Sequence, residues 1–335
     1  MNVIFLGAGA SKALGFLGGN EILPKIIENL SNETLFADYD RAKEKRALLK
    51  KTLRQLIPGL SSSARDLSIT DVLSLIDFSI SSGITLLPKD GFFELRRLRH
   101  LVDAAIIEVL NVEPDSNENI RLFADVLRRF KQTVVITSNY DLIPERVFQK
   151  AGIPAAELDY GFDWRRVTTG KIIRRPADGN SYALLKLHGS LNWLKCPSCE
   201  QIYINLLYAI ADLGDFSDSR NYGSEVTCHC GYAPLRSLLI TPSLARFHPE
   251  AQLKQLVLAG IEYISQASSV TIIGYSMPSE DLAIRSMFIR GMRANKNQPK
   301  VKVFQISDAE AERYRAFFPK MDYFTSGLDG FLKSF

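Results

Sequence analysis

Three short stretches carry side chains able to do chemistry, each beside small residues where an apolar run breaks off. Thr137-Ser138-Asn139-Tyr140-Asp141 offers an amide and a carboxylate two residues apart. Alternate residues of an extended stretch point the same way, so Asn139 and Asp141 can share a face. The amide can hold a ribose hydroxyl or a water, and the carboxylate can accept from an amide. The same residue types also end a strand in an Asx turn. Leu187-His188-Gly189-Ser190 sets one of the chain's 4 histidines beside two small residues. Imidazole works as a general base near neutral pH, although a lone histidine also serves as a satisfied structural residue. Gly7-Ala8-Gly9-Ala10-Ser11 follows the apolar run Val3 to Leu6. That is how a buried strand enters a tight turn and a helix N-terminus, where an anion can sit.

The glycine turn is not the dehydrogenase fingerprint, which would require Gly at Lys12, and the P-loop order is missing. It suits either a phosphate cradle or a turn that merely needs small residues. Gly274-Tyr275-Ser276-Met277-Pro278-Ser279-Glu280-Asp281 is a further strand end before a helix. Its amides and Ser276 can hold a ribose or phosphate, and Asp281 can cap the helix or bind a hydroxyl. Cys196, Cys199, Cys228 and Cys230 fall in two close pairs, C-x2-C and C-x-C. Four thiolates so spaced suit a closed tetrahedral zinc site, with His229 a substitute for one of them.

Apolar runs at Thr133–Thr137, 182–187, 238–241, 270–274 and 301–306 read as strands that position these residues. The last third alternates strand and helix, as βαβ units of a parallel sheet do. Ser11 to Arg129 contains no convincing strand; 20–56, 69–80 and 92–110 read as helices, with Thr70 as an N-cap. A hairpin is expected around Asp178-Gly179-Asn180, and Ser279 is expected to cap the helix that follows the strand 270–274 and runs to about Arg293. The expected class is α/β, a parallel sheet with helices on both faces plus a helical insertion and a small zinc-ribbon-like module. The sheet domain takes 1–55, 132–192 and 235–335, the insertion 56–131 and the zinc module 193–234.

At 335 residues, 46% hydrophobic and 23% charged, the composition is that of an ordinary globular protein. A net charge of +4 does not call for nucleic acid, and the basic residues Lys43, Lys45, Arg46, Lys50 and Lys51 read as a solvated helix face. No run approaches the ~18 apolar residues of a membrane span, and no basic region precedes Val3 as in a signal peptide. A cytoplasmic protein is expected, with no membrane and no direct nucleic-acid partner.

Taken in order, Gly7 to Ser11, Thr137 to Asp141, Leu187 to Ser190, the paired cysteines and Ile273-Gly274-Tyr275-Ser276 resemble the sirtuin superfamily. The resemblance implies a Rossmann-like domain that binds NAD and a smaller domain that holds structural zinc. Carried over by position, Gly7, Ala8, Gly9 and Ser11 hold the phosphates. Asn139 and Asp141 serve the nicotinamide-ribose end, and His188 is the catalytic base. Thr137, Gly274, Ser276 and Asp281 complete the cofactor-binding set, with Ser276 near the adenosine ribose. Protein-deacylating sirtuins follow the glycine turn with Pro-Asp-Phe-Arg, where this chain reads Leu14-Gly15-Phe16-Leu17-Gly18-Gly19-Asn20. Asn–Tyr–Asp also replaces the usual Asn–Ile–Asp or Asn–Val–Asp. These departures are more similar to the sirtuin-like effectors of bacterial antiphage defence. That implies NAD glycohydrolase activity, homo-oligomers and a HerA-type ATPase partner in some members. The same pocket in a deacylase or ADP-ribosyl transferase, or in a non-catalytic NAD sensor, are the competing expectations.

Overall fold

Val3 to Leu6 has no polar face to offer water, and such a run is stable only when covered on both sides. In the computed structural model, β1 (Asn2–Leu6) accordingly lies in the interior of a six-stranded sheet whose pairings are all parallel. The structure describes residues 1–37, 41–60, 67–84, 92–111, 118–130, 132–176, 182–206, 209–210, 228–231, 235–241, 243, 251–279 and 281–335. On one side of β1 lie β2 (Thr133–Thr137) and then β5 (Tyr182–Lys186). On the other side come β9 (Ser269–Ile273), β10 (Lys300–Phe304) and β11 (Met321–Phe324). This is the doubly wound order of Rossmann-type sheets, and the direction of winding reverses between β1 and β9.

Helices cover both faces. Phe5 packs on Phe288 of the helix Leu282–Ala294, with ring centroids 5.2 Å apart. Phe304 faces the opposite way and meets Phe331 of the helix Gly327–Lys333, which in turn touches Phe123 of α6 (Glu118–Arg129). Among the described residues no helix is long and apolar enough to cross a membrane.

No strand occurs between β1 and β2 among the described residues. The stretch 20–56 forms two helices, α2 (Gly19–Ser31) and α3 (Ala42–Leu56). Between them the Phe36 amide donates to the Glu108 carboxylate of α5 (Phe92–Leu110), at 2.8 Å to Oε1. α2 and α3 share one apolar cluster with α4 (Ile69–Ser82) and α5, whereas α6 joins the core of the sheet. Packing therefore groups residues 19–56 with the helical block expected at 56–131. The cap of α4 is Ser68 instead of Thr70: Ser68 Oγ accepts from Asp71 N, and Asp71 Oδ2 accepts from Ser68 N.

A second, five-stranded sheet has the order β4-β3-β7-β6-β8, from β3 (Trp164–Arg166), β4 (Ile172–Ile173), β6 (Gly189–Lys195), β7 (Ile202–Ile204) and β8 (Arg236–Leu239). It begins well before the expected zinc module at 193. It also claims the run expected to enter the parallel sheet at 238–241, because β8 pairs antiparallel with β6. An apolar run shows that a strand is buried, not which sheet receives it. The hairpin expected at 178–180 lies outside the described residues.

Candidate functional site

At the switch point the turn after β1 meets the end of β9 backbone to backbone. Gly7 N donates to Ile273 O at 3.0 Å and Gly9 N to Gly274 O at 2.8 Å. A Cβ on Gly7 would stand 2.5 Å from Tyr275 Cα. One on Gly274, whose φ is +61°, would stand 2.2 Å from Ala10 N. Glycine is required at both positions by this crossing of chains. The amides of Gly7 and Gly9 serve the neighbouring strand and are not free to cradle a phosphate. Exposed backbone at Ala8 and Gly9 remains, at the start of α1 (Ala8–Ala13).

A cavity of about 500 Å³ opens beyond the carboxyl ends of β1, β2, β9 and β10. It is lined by Ala8, Gly9, Ser11, Asn139, Asp141, His188, Gly274, Ser276 and Asp281. Two residues of the expected set do not line it. Gly7 is packed against Tyr275, and Thr137 donates to Leu6 O at 2.9 Å while accepting from Asn139 N at 2.9 Å.

A directional chain of hydrogen bonds runs across the floor. Asn139 Nδ2 donates to Gly7 O at 2.8 Å and to Ser11 Oγ at 2.7 Å, and Ser11 Oγ donates to Asp141 Oδ2 at 2.6 Å. A carbonyl and a carboxylate can only accept, so the direction of every link is determined. The Asn139 side chain is thereby oriented with Oδ1 as its remaining acceptor. Asp141 Oδ1 accepts from Ile143 N at 3.0 Å at the start of α7 (Ile143–Lys150), an Asx turn. Both Asp141 oxygens are thus engaged within the protein, and this carboxylate braces Ser11 and Asn139. Beneath it, fully buried Lys186 donates to Asp141 O at 2.6 Å and to Glu145 Oε1 at 3.1 Å. Burial pushes the Glu145 carboxyl up, and Lys186 opposes that shift.

His188 sits on the two-residue passage from β5 of the large sheet into β6 of the small one. Leu187 N donates to Thr137 O at 2.8 Å and Ile240 N to His188 O at 2.8 Å, so both sheets hold the passage. Gly189 adopts φ +82°, and a Cβ there would lie 1.9 Å from Leu238 O. Across the cavity, His188 Nε2 comes within 3.5 Å of Asp281 Oδ1. Asp281 is the N-cap of its helix but makes no capping bond through its side chain, and Ser279 is not the cap.

The cavity also takes in residues outside the expected set. Ile106 and Leu110 of α5 reach it, as do Tyr140, Gln305, Ser307 and Glu310. Gln305 to Glu310 follow β10, and the strand-end rule applied to 138 and 188 points to them equally. Nothing local in sequence could have brought in α5.

The four cysteine sulfurs lie within 4.8 Å of one another, with Cys196 Sγ 3.7 Å from Cys230 Sγ and Cys199 Sγ 3.3 Å from Cys228 Sγ. Thiolates at about 2.3 Å from a tetrahedral zinc stand roughly 3.8 Å apart, so the set is compatible with one structural ion. His229 turns its Nδ1 to Tyr203 Oη at 3.0 Å and is not one of the four clustered donors. No cysteine lines the 500 Å³ cavity.

A family model described as the SIR2-like domain matches residues 133–322, more than half of the chain. The protein belongs to the SIR2-like family. The match begins at β2 and ends in β11, and it includes Asn139, His188, the four cysteines and Asp281. No curated protein matches this SIR2-like chain. Among solved structures, Sir2Tm bound to a propionylated peptide aligns at 14% identity over 100% of this chain and 91% of that one, with a TM-score of 0.43. A structure of Sir2 enzymes, solved for the basis of their mechanism and regulation, aligns at 16% identity over 99% and 89%, with a TM-score of 0.40. Alignments this loose add nothing to the topology described above.

Proposed function

We propose that the protein is an NAD+ glycohydrolase that releases nicotinamide and ADP-ribose, with the four cysteines holding a structural zinc. The observation that carries this reading is the meeting of Asn139 and His188 at one cavity over the switch point of a Rossmann-type sheet, in a SIR2-like chain. Dinucleotides bind such sheets at that point. The diphosphate would lie over the exposed Ala8–Gly9 backbone, and the nicotinamide-ribose between Asn139 and His188.

The chemistry passes through an oxocarbenium-like transition state. The C1′–N bond breaks and its electron pair leaves with nicotinamide. A water oxygen bonds to C1′ as His188 takes the water's proton. Asn139 Oδ1, its amide nitrogen already committed to Gly7 and Ser11, accepts from that water or from a ribose hydroxyl. The carboxylates of Asp141 and Asp281 favour the positive charge that this end carries before and during cleavage. The segment Phe16 to Asn20, which leads into α2 and where deacylating sirtuins differ, lines the same cavity and supports water over acyl-lysine as the acceptor. Homo-oligomerisation, a HerA-type ATPase partner, a cytoplasmic location and a role in antiphage defence belong to this proposal through the sequence resemblance.

Incubation with NAD should release nicotinamide, and Asn139→Ala or His188→Ala should each reduce the rate by roughly 10²–10⁴-fold while calorimetry still detects NAD binding. Full activity in both variants would refute the reading. Turnover that depends on an acylated peptide and yields O-acyl-ADP-ribose would assign a deacylase instead.

A further inference from the structure

Asp281 is held in a way that a simple hydroxyl ligand would not need. Its Oδ2 accepts from Tyr275 Oη at 2.7 Å, and its Oδ1 is the atom 3.5 Å from His188 Nε2. Tyr275 is itself fixed from two sides. Its ring lies 4.7 Å from that of Phe5, and its carbonyl accepts from Gln305 Nε2 and Tyr314 Oη. Burial, and next the Asp281 carboxylate, push the Tyr275 hydroxyl far above its usual range, so it remains a donor to that carboxylate. Asp281 spends no oxygen on its own helix. His188 lines the cavity, and among the described residues its Nδ1 has no hydrogen-bond partner.

We propose that Asp281 is a positioning residue for His188, holding the imidazole through Nε2–H so that Nδ1 is the nitrogen that takes the proton. The inference rests on the hydrolase reading for the task Nδ1 performs, but the geometry of the pair does not depend on it. Neutral imidazole carries one proton, and a carboxylate beside Nε2 favours its location there. The lone pair then belongs to Nδ1. As the water oxygen bonds to C1′, Nδ1 takes its proton and the imidazolium gains the adjacent carboxylate as counter-ion. The proton passes to solvent after ADP-ribose leaves, and Asp281 stays ionised throughout. In apo sites such contacts are commonly long and tighten on ligand binding.

The test separates this role from that of a ribose ligand. Asp281→Asn keeps the shape of the side chain and should lower kcat by about 100-fold or more, with KM for NAD within about twofold. Tyr275→Phe, which frees Asp281 without removing it, should cost roughly tenfold in kcat. Independently of turnover, side-chain ¹⁵N spectra of the histidine-labelled full chain, assigned with His188→Ala, should show His188 protonated on Nε2. Asp281→Asn should shift that signature. A rise in KM at unchanged kcat would make Asp281 a ligand contact and overturn the proposal, as would a wild-type His188 protonated on Nδ1. If the wild type cleaves no NAD, the hydrolase reading fails, and the ¹⁵N spectra still decide the pairing.

Discussion

One serine hydroxyl joins two strand ends that are more than a hundred residues apart in the chain. Ser11 Oγ accepts from Asn139 and donates to Asp141, so it orients the amide and satisfies the carboxylate together. Ser11→Ala would leave Asp141 Oδ2 buried without this donor, at a cost of about 1–3 kcal/mol. The expected outcome is a lower urea midpoint together with slower nicotinamide release, because Asn139 loses one of its two anchors. An unchanged midpoint would show that the Ser11 link contributes nothing to holding the floor of the site. The residue types at 11, 139 and 141 are plain in the sequence; their bonding to one another is not, since all three could equally have faced a ligand.

Among the elements, the passage from β5 to β6 decides where the imidazole stands. Its constraint is steric: Gly189 combines φ +82° with a carbonyl where a Cβ would go. Gly189→Ala should destabilise the fold by more than about 2 kcal/mol and displace His188. Gly170 is the control, because it adopts φ +64° with nothing within 4 Å of a Cβ. Gly170→Ala should then cost only about 1 kcal/mol, the left-handed backbone penalty alone. Thermal melts of the two variants make the comparison, and equal losses would exclude the clash as the cause. The strands themselves are legible from apolar runs of strand length. Which sheet takes 236–239 is not, because only Leu238 of that run is fully buried and a single apolar residue does not specify a partner strand.

For the whole molecule, the cysteine cluster packs beside the small sheet and outside the lining of the cavity. Leu194, Tyr203 and Leu235 pack around Cys196 and Cys228 in a satellite core of their own. The protein should therefore purify with about one zinc per chain, measured by plasma mass spectrometry, and Cys228→Ser should lose it. Loss of the ion should lower the melting midpoint by roughly 5–10 °C. Activity should be retained at temperatures where the small sheet stays folded. A metal-free protein of undiminished stability would show that the thiols act as ordinary core.

The sequence by itself determined the strands of the parallel sheet, the strand ends that line the cavity and the paired cysteines, but not the strands of the small sheet before the cysteines. Those signals are local, because periodicity, turn residues and ligand spacing act over a dozen residues or fewer. Only the tertiary structure decided what each polar atom is spent on. It turned the Gly7 and Gly9 amides toward β9 and used both oxygens of Asp141 as braces. It also brought Asp281 to His188. Hydrogen-bond capacity is a property of a residue type, whereas its allocation depends on which distant segments the packed sheets bring within 3 Å.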